Sequence, residues 1–188
     1  MSDKVNKKTF VVPLRAEWYN IEVIEGECPA DRKVSVDGIE IPKRERKTDS
    51  AGNEMFTIVT VKSGDLKCSL FLNPETGVIE LKVNDILLSA YKKNYYKQYS
   101  CWVTSISGVS NRIVLDKSVM DVWVNKLFVK SDSFFIDNGN YVEFLINSVP
   151  IKIISVLLAR GPDDPTKVLT QTLYINGTLA DPPGPIVD

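Results

Sequence analysis

Along much of this chain apolar and polar residues alternate with a period of two. Val34-Ser35-Val36 and Ile39-Glu40-Ile41 flank Asp37-Gly38, and Ile79-Glu80-Leu81-Lys82-Val83 runs into Asn84-Asp85. Residues two apart share one face of a strand, so this alternation predicts strands with one face inward and one outward. Asp-Gly is a pair that tolerates positive φ, which the tightest hairpin turns require. Phe56-Thr57-Ile58-Val59-Thr60-Val61 is rich in β-branched residues, and Cys68 to Leu72 leads into the turn cluster Asn73-Pro74-Glu75-Thr76-Gly77.

The second half repeats this grammar. Strands are predicted at Asn111–Leu115, Asp121–Val124, Leu127–Val129, Phe134–Ile136, Tyr141–Ile146, Ile151–Val156 and Leu173–Ile175. Turns fall at Asn125-Lys126, Asp137 to Asn140 and Asn176-Gly177. Leu87 to Tyr99 does not alternate and is expected to hold one helical turn or a loop. Each half starts near a tryptophan, Trp18 and Trp102. The turns at 37–38 and 84–85 match those at 125–126 and 176–177, a faint internal repeat.

Many short strands with turn chemistry between them predict an all-β fold of two tandem, small, β-sandwich-like antiparallel domains. The expected division is a flexible N-terminus over residues 1–9, an N-terminal β domain over 10–95, a C-terminal β-sandwich domain over 96–183 and a tail over 184–188. The joint is placed in Lys92 to Ser100. Each half is near the lower size limit for its own core. Trp18, Phe56 and Phe71 are expected to fill the first core, and Trp102, Trp123, Phe135 and Phe144 the second.

Composition narrows the function classes. Of 188 residues, 44% are hydrophobic and 25% charged, and the formal net charge is -1. That balance gives no long-range pull on a polyanion, so nucleic acid is not an expected partner. MSDKVNKKTF has no signal-peptide character, and the longest apolar run, Ile153 to Ala159, is far too short to span a bilayer. A cytoplasmic protein without membrane insertion is expected. Histidine is absent, which removes the commonest general base, nucleophile activator and zinc ligand. No other pair of residues is placed for catalysis, so the chain is not expected to be an enzyme, nor to carry a cofactor or a metal. Cys28, Cys68 and Cys101 are widely spaced and read as reduced, inert thiols, with Cys28 beside Pro29 the one candidate for an exposed, oxidisable thiol.

Five segments are candidate sites. Pro42-Lys43-Arg44-Glu45-Arg46-Lys47 reads as a solvated loop, against docking of an acidic partner or a nucleic-acid backbone. Lys92 to Tyr99 interleaves lysine with tyrosine, which suits a linker laying its rings on a domain, a protein-binding patch or a base-stacking platform. Tyr141–Ile146 and Ile151–Ala159 read as core strands. At an open edge either would instead pair with another chain. Asn176-Gly177-Thr178 fits a glycosylation acceptor that stays bare without export.

Arg112-Ile113-Val114-Leu115-Asp116-Lys117 and Met120-Asp121-Val122-Trp123, followed by Asn125, resemble the C-terminal domain of the Fas apoptotic inhibitory molecule family. Asp137-Asn138-Gly139 and Leu173-Tyr174-Ile175-Asn176-Gly177, then Pro182, match its later turn and terminal strand. Val34-Ser35-Val36-Asp37-Gly38 and Ser69 to Tyr91 resemble its first domain. Lys126 stands where the family often has glycine, so a different turn geometry is expected there, and Lys43 to Asn53 reads as an insert.

The resemblance implies a non-catalytic cytosolic regulator that restrains death-receptor-mediated apoptosis through protein contacts, with holdase-like protection against aggregation. Its partners would be death-receptor signalling components or aggregation-prone clients. The protein-binding residues and the oligomeric state are not specified by the sequence. The rival reading is a ligand-binding β-sandwich module for a sugar or an apolar small molecule.

Overall fold

The computed structural model describes residues 6–27, 31–60, 64–161, 164–180 and 182–184. The chain divides into two compact units, one reaching to Tyr95 and the other starting at Tyr96.

In the first unit, β1 (Lys7–Leu14), β2 (Glu17–Ile24), β3 (Lys33–Val36) and β4 (Ile39–Glu40) form one antiparallel sheet in chain order. A second follows with β5 (Lys47–Thr48), β6 (Glu54–Ile58), β7 (Leu66–Leu72), β8 (Ile79–Val83) and β9 (Ile86–Leu87). Alternation does what it predicts. Ile79, Leu81 and Val83 of β8 are buried, and Glu80 and Lys82 between them are half-buried. Val12, Ile21, Val23 and Val34 from one sheet meet Phe56, Cys68, Leu70 and Leu81 from the other. Burying each such aliphatic side chain contributes about 1.5–3 kcal/mol.

The second unit has the same plan. One sheet is β10 (Tyr99–Ile106), β11 (Val109–Asp116), β12 (Val122–Val124) and β13 (Leu127–Val129). The other is β14 (Asp132–Ile136), β15 (Gly139–Ile146), β16 (Val149–Gly161), β17 (Asp164–Ile175) and β18 (Thr178–Leu179). Trp102, Ile113, Leu115 and Val122 pack against Val142, Phe144, Ile151, Ile153 and Leu173.

Cross-strand register aligns the two units residue by residue. Phe10 pairs with Ile21, which pairs with Val36. Trp102 pairs with Ile113, which pairs with Val124. Phe10 is therefore the counterpart of Trp102. Trp18 lies in β2, so the two tryptophans that suggested the repeat are not equivalent. The turns are. Asp37-Gly38, Asn84-Asp85, Asn125-Lys126 and Asn176-Gly177 all have positive φ at both positions. In three of them the first residue locks onto the neighbouring strand. Asp37, Asn84 and Asn125 each donate a backbone N–H to a carbonyl there and accept a backbone N–H on the side-chain oxygen. Their partners are Asn20, Lys67 and Arg112. Asn176 donates to the carbonyl of Pro150, and proline has no N–H to return. Lys126 keeps the shared geometry at φ 73°, so the different turn expected there is not formed.

Other expectations are corrected. Pairing begins at Lys7 opposite Ile24, inside the segment expected to be flexible, and Lys7 Nζ lies 2.8 Å from Glu22. Leu87 to Tyr99 holds three turns of helix, α1 (Leu88–Gln98), and the division between units falls within it. The segment has no Gly or Pro, and Leu88, Tyr91 and Tyr95 are spaced for one helical face. Leu88 and Tyr91 pack on the first core. The hydroxyls of Tyr91 and Tyr95 donate to the carbonyls of Pro13 and Arg15 at 2.9 and 2.6 Å. Gly139 is not a turn residue but the start of β15. A Cβ there would sit 2.0 Å from the carbonyl oxygen of Ser155 on β16, so only glycine permits that strand approach.

Candidate protein-binding edge

Tyr141–Ile146 does not lie at an open edge, and Ile151–Ala159 does so only beyond Val156, where it pairs with β17 alone. β15 runs between β14 and β16. β16 pairs with β15 through Val156 and with β17 along its length. The sheet ends in β14 on one side and the two-residue β18 on the other, and all five residues of β14 are exposed. Phe135, expected in the core, is 91% exposed, and Phe134 and Ile136 are 43% and 39% exposed. Phe71 and Trp123 are half-buried. Three apolar residues in a row cannot all face one side of a strand, and here the facing sheet does not reach them. Just before β14, β13 is the edge of the other sheet in this unit, with Leu127 and Phe128 exposed. Edge strands of both sheets, joined by Lys130 and Ser131, thus present large apolar side chains. Such edges are usually blunted by charge, brevity or cover.

On the outer sheet face the register makes rows. Asp132, Glu143, Lys152, Tyr174 and Leu179 stand side by side across the five strands. Phe134, Tyr141, Ile154 and Thr172 form the next row. Phe134 stacks on Tyr141 with ring centroids 5.0 Å apart. Lys152 Nζ lies 2.6 Å from Glu143 and 4.4 Å from the centroid of Tyr141. Its hydrogen bond with Glu143 raises the lysine pKa above the ordinary value. An open groove of 540 Å³ runs over these rows, lined by Asp132, Glu143, Leu145, Lys152, Ile154 and Tyr174 among others.

The remaining candidates fall elsewhere. Arg46, expected on a solvated loop, has a side chain only 4% exposed. It bonds Glu54 at 2.5 Å and the carbonyl of Arg32 at 3.1 Å, with Arg32 on the other Glu54 oxygen at 3.4 Å. Two guanidinium groups on one carboxylate clamp the segment to β6. Lys43, Arg44 and Lys47 stay exposed. Tyr95 and Tyr99 are buried, which leaves no exposed row of rings for stacking bases. Cys68 and Cys101 are buried free thiols, and burial pushes the Cys68 thiol up to about 12. Cys28 lies outside the described residues. Asn176-Gly177 forms the β17–β18 turn. The cores of both units are built of aliphatic and aromatic side chains, and the groove over the β14–β18 sheet lies on its outer face. Among the described residues there is no cluster of His, Cys, Asp and Glu suited to a metal ion, and no helix is long and apolar enough to cross a membrane.

The family model described as Fas apoptotic inhibitory molecule matches residues 7–182. Fas apoptotic inhibitory molecule 1 of mouse and that of human are each 29% identical over 133 residues, covering 69% of this chain and 73% of theirs. The bovine protein of that name is 28% identical, with 65% of its length covered.

Proposed function

The chain belongs to the Fas apoptotic inhibitory molecule family, and on that premise we propose that it restrains apoptosis by contacting other proteins through the β13 and β14 edges. The family match over both units carries the cellular role. The exposed edge of β14 supports the protein-contact mode, since unpaired strand backbone flanked by apolar side chains recruits extended chain. The reading places the protein in the cytoplasm, as a regulator without a catalytic step. Its test is removal of the protein from cells of its own source, followed by a death-receptor or stress stimulus. Cell death should rise, and return to baseline on re-expression. Unchanged death after removal would refute the role.

The near-complete exposure of Phe135 also favours a second activity, holding aggregation-prone clients. Light scattering of a heat-unfolding client should fall at equal molar ratio, relative to an inert control protein. Unaltered scattering would confine the protein to specific signalling contacts.

A further inference from the structure

The outer face of the β14–β18 sheet is unbalanced in charge at its open side. Asp132 and Glu143 are direct cross-strand neighbours, an arrangement that costs stability. Glu143 is matched by Lys152 on its far side. Asp132 has no ion-pair partner among the described residues, and it is the last side chain of its row before the open edge. A strand added beyond β14 would extend the row by one position, and a basic side chain there would meet Asp132. Two residues along, the added strand would meet Phe134, and two further on, Ile136, both partly exposed apolar groups.

We propose that β14 takes up an extended segment of a partner protein as a further strand. A lysine or arginine of that segment stands opposite Asp132, and apolar side chains at the second and fourth positions from it stand opposite Phe134 and Ile136. This rests on the protein-contact reading above and names the partner chemistry. Main-chain bonds supply affinity in such additions, and alternate side chains supply selectivity. A second copy of the chain fits poorly. Symmetric antiparallel pairing centred on β14 would put Asp132 opposite Asp132, Phe134 or Ile136, none of them basic. The corresponding edge row of the first unit starts with Lys47 opposite Met55 and would repel the same segment.

The test uses the full chain, isotope-labelled, and a capped peptide, Val-Thr-Phe-Thr-Lys-Thr-Phe-Thr-Val, which presents the pattern in both chain directions. Amide shifts should centre on Asp132 to Ile136. Asp132→Lys should weaken binding about tenfold at low salt, and a peptide with glutamate in place of lysine should bind that variant better than the parent. Shifts confined to other strands, or equal binding of both peptides to the parent, would overturn the proposal. So would movement of the same amides with protein concentration alone, which would assign the edge to a second copy. A silent peptide with cells still protected would remove this inference only. Binding without cellular protection would remove the cellular role and leave the strand site standing.

Discussion

The two units share one plan but finish one edge in opposite ways. β5 and β14 are counterparts by register, each the outer strand of a five-stranded sheet. β5 is two residues long, Lys47-Thr48, and the segment before it is clamped by Arg46 on Glu54. β14 is five residues long and ends in Phe134, Phe135 and Ile136. The outer grooves beside these strands also correspond. The first, of 400 Å³, has Lys47, Lys67, Ser69 and Thr57 where the second has Asp132, Pro150, Lys152 and Leu145. A short, lysine-bearing edge discourages pairing, and a longer apolar one invites it. The first unit therefore serves as an internal control. The sandwich alone does not demand an open edge, and the exposed aromatic residues of β14 have no counterpart on β5.

The strongest way to break the comparison is at Gly139, which lets β14–β15 form a hairpin longer than β5–β6. Its counterpart in the first unit, Ala51, lies in a turn before β6 begins. Gly139→Val puts side-chain carbon into the Ser155 carbonyl, and the backbones must part. The second unit should lose about 3 kcal/mol or more in urea unfolding, with the core-facing Trp102 as a fluorescence probe. An unaltered midpoint would mean that the close approach is not needed.

Alkaline pH should weaken the first unit next. Cys68 occupies the place that Ile151 holds in the second unit. Burial favours the neutral thiol, so the folded unit keeps the proton up to about pH 12, against an ordinary value of 9.0. Its contribution is full below about pH 9 and is lost as pH rises from there towards 12, up to about 4 kcal/mol. Burial and the bond to Glu17 also raise the Tyr19 phenol, which acts in the same direction. Cys68→Val should remove much of the loss in denaturant titrations at pH 8 and 11. Equal pH dependence in parent and variant would exclude the thiol as its source.

Strands β3, β4, β6 to β8 and most of those after Val109 were legible because each carries a local signal, whereas β1, β2 and β10 were not foreseen. Alternation marks the inward face, and an Asp or Asn marks each turn, in three of which its side chain ties the strand before the hairpin. α1 was obscured because two of its inward positions, half-buried Tyr91 and buried Tyr95, read as polar beside lysine until their hydroxyls find the Pro13 and Arg15 carbonyls. The candidate site was harder. Whether Phe135 faces a core or solvent depends on where the opposite sheet stops, and no local pattern encodes that. Arg46 looked solvated for a similar reason, since its partner Glu54 becomes a neighbour only when β5 pairs with β6.

The smallest expected effect concerns the shared turn. Asn125-Lys126 and Asn176-Gly177 have nearly the same φ angles, but Lys126 holds φ 73° with a Cβ present. A left-handed conformation costs an ordinary residue about 1 kcal/mol, while glycine adopts it freely and gives back part of that gain through unfolded-state entropy. Lys126→Gly should therefore stabilise the second unit by about 0.5 kcal/mol, leaving the bond from Arg112 N–H to Asn125 Oδ1 in place. Asn125→Ala, which removes that acceptor and the 2.9 Å bond to Asn111, should instead destabilise by about 1 kcal/mol. Urea midpoints of the two variants should move in opposite directions. Movement in the same direction would mean that the side-chain lock and the backbone conformation are not the separable contributions that the repeated turn geometry implies.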